Sequence, residues 1–151
     1  MGGSFEQIHG ILHSFRKVTW ALYHLFREEA KEHNITFVQL WVLRVLSRKS
    51  HLGLNELSQE LLLSNSTMSG VVDRLVTAGL VKRERSEEDR RTIVVKLTEK
   101  GMDIQKEAFG ENSILTKKLE NILDIPKEDI HHLLKIHERI LQKLHQEEGK
   151  K

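Results

Sequence analysis

Between residues 54 and 101 the chain changes its period of hydrophobicity, and that change restricts the fold more than any other feature. The stretch reads LNELSQELLLSNSTMSGVVDRLVTAGLVKRERSEEDRRTIVVKLTEKG. Leu57, Leu61, Leu62, Met68, Val71, Val72, Leu75 and Val76 recur at helical spacing, giving one apolar face to each of two short helices. The Ser64-Asn65-Ser66 cluster separates the two helices, and Ala78-Gly79 ends the second. Residues 80–85 and 92–97, rich in Val, Ile and Thr, then read as two strands around a polar tip at 86–91. A lone strand pair cannot stand as a domain, so the hairpin must pack on the helices before it.

The flanks are helical. From 5 to 33, Ile8, Ile11, Leu12, Phe15, Val18, Leu22, Leu25 and Phe26 keep a period near 3.6, and Asn34 ends the run. Thr36 with Gln39 three residues on forms a capping box, opening an apolar second helix to about Arg48. Asn55 is expected to cap the third helix, which runs to about Leu62, and Ser64 or Asn65 the fourth. Thr98 is expected to cap a fifth helix continuing to about Leu123, and Pro126 to open a sixth reaching about Gln146. In the sixth, Ile130, Leu133, Leu134, His137, Leu141 and Leu144 keep close to a seven-residue repeat, a stripe that calls for a partner helix. The last five residues, 147–151, read as a disordered tail.

The whole chain of 151 residues carries 38% hydrophobic and 30% charged residues, low for a self-sufficient globule and suited to two copies sharing a core. A formal net charge of +2 says little, but residues 74–100 hold eight basic side chains against five acidic ones. That local excess lies on the second helix and the hairpin. A helix that enters a DNA major groove needs short polar side chains near its N-terminus, where they can meet base edges and helix-end amides can meet phosphate. Ser64, Asn65, Ser66, Thr67 and Ser69 fit that description, with Arg74 as a phosphate contact and Asp73 as an ion-pair partner. On the hairpin, Lys82, Arg83 and Arg85 suit phosphates, while Arg90 or Arg91 at the tip suits the electronegative minor groove. Gly70, inside the fourth helix, points to a close approach by DNA or a neighbouring helix, or to simple tolerance.

The expected fold is therefore mainly α with a small β-hairpin wing: a winged helix-turn-helix flanked by N- and C-terminal helices. At SNSTMSGVVDRLVTAGLVKRERSEEDRRTIVVKLTEKG the chain resembles the multiple-antibiotic-resistance regulator (MarR) family, through Asp73-Arg74-Leu75, Gly79-Leu80-Val81, Asp89-Arg90-Arg91, and Leu97-Thr98 with Gly101. The resemblance implies a cytoplasmic, DNA-binding homodimer that reads a pseudo-palindromic operator in double-stranded DNA. It further implies a repressor of transcription that releases DNA on binding a small-molecule effector. In that family's wing an aspartate braces the arginine two residues on, which here means Asp89 and Arg91. The family's effector pocket makes Trp20, Tyr23, His24, Phe37 and Trp41 the candidate walls.

On this reading residues 5–33 and 99–146 form the dimerisation region and 36–98 the DNA-binding domain. With no cysteine there is no thiol-based sensor. His9 and His13 stand four apart on one helix, which keeps a metal-responsive relative as an alternative, although the segment after the wing lacks a histidine pair. No metal site or cofactor is assigned. A winged helix used only as a protein-interaction scaffold is the rival from another class. No phosphate-cradling loop, nucleophile elbow or His-Glu-x-x-His helix appears, so an enzyme is not expected. No apolar run approaches a membrane span, and there is no leader pattern, so no membrane partner is expected.

Overall fold

The computed structural model describes residues 2–145. Helix α1 (Gly2–Glu32) is followed by α2 (Phe37–Arg48), α3 (Leu54–Glu60) and α4 (Asn65–Thr77). Strands β1 (Val81–Arg85) and β2 (Ile93–Leu97) come next, then α5 (Glu99–Ala108), α6 (Ile114–Glu120), a 3-10 turn (Asn121–Asp124) and α7 (Lys127–His145). Contacts divide the chain into two compact units, Met1–Thr116 and Lys117–Lys151. No helix among the described residues is long and apolar enough to cross a membrane.

The core lies where α2, α3, α4 and the hairpin meet. Val42, Leu43, Leu46, Leu57, Met68, Val72, Leu75, Leu80 and Val95 are almost wholly buried there. The strands pair antiparallel with Val81 opposite Leu97 and Arg85 opposite Ile93. Leu52 adds a third, single-residue rung by exchanging backbone hydrogen bonds with Val95. The wing is thereby fixed to the segment before α3 as well as to the helices.

Local chemistry explains most boundaries. The Thr36 capping box is present: its hydroxyl accepts from the Gln39 amide at 3.3 Å, and Gln39 Oε1 accepts from the Thr36 amide at 2.8 Å. Helices α1, α3 and α4 all end in the same way. The amides of Ile35, Leu63 and Leu80 donate to the carbonyls of Ala30, Ser58 and Leu75, five residues back, with Asn34, Leu62 and Gly79 at positive φ.

Three expectations need correction. The third helix is not capped by Asn55: it begins two residues earlier than that cap implies, after Gly53, whose amide donates to the Glu56 carboxylate at 2.7 Å. It also stops at Glu60, short of Leu62, because Leu62 adopts the left-handed conformation that closes the helix end. The expected long fifth helix is broken after Ala108 by a turn at 109–113, and the chain restarts as α6 with Ser113 Oγ accepting from the Thr116 amide at 2.9 Å. Pro126 lies just ahead of α7, and its carbonyl accepts from the amides of Asp129 and Ile130. The expected end of that helix at Gln146 and the tail at 147–151 lie outside the described residues.

Candidate nucleic-acid interface

Helix α4 is held at its start by Ser64, whose Oγ accepts from the Thr67 amide at 3.1 Å and donates to Thr67 Oγ1 at 2.8 Å. Ser64, not Asn65, is the cap. Asn65 is the first helical residue, and its Oδ1 accepts from the Ser58 hydroxyl of α3, which ties the two helices of the helix-turn-helix together. Ser64, Asn65, Ser66 and Thr67 are exposed and Ser69 is half-buried, whereas Met68, Val71, Val72 and Leu75 turn into the core. One end and one face of α4 are thus polar and open. A Cβ added at Gly70 would meet nothing within 4 Å, so no neighbouring helix requires the glycine.

The wing's cations fall into two groups. Arg83 Nη2 stands 2.6 Å from Asp73 Oδ1, so Asp73 joins α4 to β1, as its sign suggests. Lys82 and Lys96 are directly opposite in the strand register, an arrangement that repels unless a counter-charge intervenes. Glu84 supplies it, with Lys82 Nζ at 2.5 Å and Lys96 Nζ at 3.1 Å. Hydrogen bonds from Lys82 and then Lys96 hold the Glu84 carboxyl below its ordinary value. In contrast, Arg74, Arg85, Arg90 and Arg91 are exposed and make no ion pair among the described residues.

The tip that carries two of these arginines is ordered by its acceptors. Buried Ser86 accepts from the amides of Glu88 and Asp89 through its hydroxyl, and its own amide donates to the Thr92 carbonyl. Asp89 Oδ1 accepts from the Arg91 backbone amide at 2.9 Å and Oδ2 from the Thr92 hydroxyl at 3.2 Å. Asp89 therefore braces Arg91 through the main chain and leaves its guanidinium exposed.

At its base the wing is stitched to α4 and α5 by Thr98, Lys100 and Gly101. Thr98 Oγ1 donates to the Gly79 carbonyl at 2.6 Å and accepts from the Gly101 amide at 3.1 Å, and Lys100 Nζ donates to the Ala78 carbonyl at 3.0 Å. A Cβ at Gly101 would stand 1.9 Å from the Leu80 carbonyl oxygen, so only glycine fits. Sequence reasoning missed Lys96, the Asp73–Arg83 partnership and Ser86. Opposite charges on adjacent strands offered a signal for the first, and no spacing rule reveals the other two.

The candidate effector residues lie close together. Trp20 and His24 rings are 4.1 Å apart, Tyr23 and Phe37 5.4 Å, and Phe37 and Trp41 6.1 Å. Phe26, which the sequence placed on the apolar face of the first helix but not in the candidate pocket, is buried among them at 5.8 Å from Phe37 and 4.8 Å from Trp41. Arg44 lies over the Phe109 ring at 4.7 Å. His9 and His13 stack at 6.2 Å, and among the described residues no group of three or more His, Asp or Glu side chains is gathered for a metal ion.

Comparison with known proteins agrees with this geometry. Residues 24–108 match the family model described as transcriptional regulator SarA/Rot. The chain is 32% identical over 110 residues to the uncharacterized HTH-type transcriptional regulator YfiV of Bacillus subtilis strain 168, covering 72% of this chain and 69% of that one. Its structure resembles that of a MarR family protein from Bacillus stearothermophilus, at 31% identity and a TM-score of 0.66, covering 96% of this chain and 97% of that one. It also resembles a mutant MarR from E. coli complexed with operator DNA, at 24% identity and a TM-score of 0.72, covering 91% of this chain and 97% of that one.

Proposed function

The chain belongs to the SarA/Rot family of transcriptional regulators, a MarR-type winged-helix family, and on that premise we propose that it acts as a homodimer on a pseudo-palindromic operator in double-stranded DNA. It is a DNA-binding regulator and not an enzyme. The observation that carries the finer reading is the pairing of an open polar N-terminus on α4 with a wing whose arginines stand exposed. Residues 36–98 read DNA, while 5–33 and 99–146 join the two copies. Two copies place their α4 helices in successive major grooves, roughly 34 to 36 Å apart. Ser64, Asn65, Ser66, Thr67 and Ser69 face base edges, with Arg74 on phosphate. Lys82, Arg83 and Arg85 follow the backbone, and Arg90 and Arg91 enter the minor groove.

The protein represses transcription and lets go when a small molecule settles among Trp20, Tyr23, His24, Phe37 and Trp41, shifting the population toward a geometry in which the two reading heads no longer match the groove spacing. The aromatic cluster supports that step by joining α1, on the dimerisation side, to α2 of the reading domain. Replacing Arg91 with Ala should weaken operator binding by about 1 to 3 kcal/mol with loss of sequence preference, whereas Lys82→Ala should weaken all duplexes alike. Equal binding by the wild type and the Arg91 variant, measured by anisotropy of a labelled duplex, would remove the wing tip from the mechanism.

A further inference from the structure

Of the three helix ends that close in the left-handed conformation, two use residues suited to it: Asn34 at φ 55° and Gly79 at φ 70°. The third uses Leu62 at φ 54°. A γ-branched apolar side chain gains nothing from that conformation, which costs an L-residue other than Gly or Asn strain. Leu62 is also 91% exposed, the most exposed of the large apolar residues described, while Leu61 and Leu63 on either side pack against the core. Closing α3 requires a left-handed residue here and turns its side chain outward, but it does not require a leucine, which bears both a conformational and an exposure cost at this position. Its place suggests a reason for the leucine: Leu62 stands two residues before the Ser64 cap, beside the open polar end of α4.

We infer that Leu62 is an apolar DNA contact, covering a thymine methyl group or the adjacent deoxyribose face at the entry of α4. The inference rests on the DNA-reading role proposed above. The major groove offers thymine methyl as its apolar feature, and among the exposed side chains from Leu62 to Thr67 only Leu62 and the Thr67 methyl group can meet it. A leucine held on a closed turn, already strained into its bound geometry, needs no further ordering on binding. Replacement by a residue that suits positive φ should therefore stabilise the free protein and weaken the complex, a trade between stability and function at a single position.

The test uses a fluorescent duplex enriched by the wild-type protein from a random-sequence library. Leu62→Gly and Leu62→Asn should each raise the melting temperature by about 3 °C, and each should lower affinity for that duplex about tenfold, the equivalent of partly burying the two leucines that a dimer brings. Replacing single thymines by uracil separates the two sources. A wild-type loss at one thymine that is absent in the Leu62→Gly variant assigns the methyl group, and uniform insensitivity to uracil with the tenfold loss retained assigns the sugar. Affinity unchanged within about twofold in both variants would overturn the inference while leaving DNA reading intact. Failure of the wild type to enrich any duplex would instead remove the DNA-reading premise, and the inference with it.

Discussion

The α2–α4 helices with the hairpin, and the terminal helices α1 and α7, are built from similar proportions of leucine and isoleucine but treat them in opposite ways. In the first region Leu43, Leu57 and Leu75 are 0% exposed within one chain. In α7, Leu134, Leu141 and Leu144 are 58%, 54% and 65% exposed, and along α1 Phe5, Leu12 and Trp20 are 80%, 57% and 65% exposed. The winged domain completes its own core, whereas each terminal helix keeps an apolar stripe that water would leave costly. The difference supports the proposal that a second copy covers the terminal helices.

Substitutions can break that contrast on either side. Leu75→Ala should cost about 3 to 5 kcal/mol, because a fully buried leucine leaves a cavity, and the loss should not depend on protein concentration. Chemical denaturation at two concentrations checks this. Gly101→Ala should cost about 3 kcal/mol, since its methyl group would collide with the Leu80 carbonyl where α5 leaves the wing. Thermal melting followed by circular dichroism would show it, and an unchanged melting temperature would mean that the α5 junction can shift. Leu141→Glu should act differently, leaving helical content largely intact while abolishing the concentration dependence expected of a dimer's stability. Sedimentation at equilibrium reads that directly, and a variant that sediments as the wild type does would remove α7 from the interface.

The smallest effect concerns the wing alone. Lysines hold the Glu84 carboxyl below its ordinary value, so its contribution to the hairpin is complete at neutral pH and disappears as pH falls below the ordinary carboxylate range. The pair is largely solvated and the contribution is small. In Glu84→Gln the acid limb of the stability curve should be slightly shallower than in the wild type, and identical limbs would show that the lysines gain nothing from the carboxylate.

How much of this the sequence disclosed depended on how local the governing contact is. The Thr36 box and the Gly79 helix end are each decided within about five residues and could be read, and the cap of α4 could be narrowed to Ser64 or Asn65. The first turn of α3 was misread because a glycine amide and Glu56 do the work that a capping side chain usually does. The turn after Ala108 was missed although Gly110, Asn112 and Ser113 signal it, because the apolar period of the flanking segments continues across the break. In the candidate interface, residue types and order were legible, but which cations stay exposed was not. Arg83 is matched to Asp73 ten residues earlier, and Lys96 to Glu84 across the hairpin, pairings that only the packing of α4 on β1 and the strand register decide.

The most direct test of the central claim is binding of the purified protein to a duplex enriched from random sequence, beside a scrambled duplex, over a salt series. A dimeric groove reader should bind the enriched duplex at least about a thousandfold more tightly, with affinity falling as about the tenth power of salt if about ten phosphates are neutralised per dimer. Weak binding that ignores both sequence and salt would contradict the account and favour a winged helix that serves only as a protein scaffold.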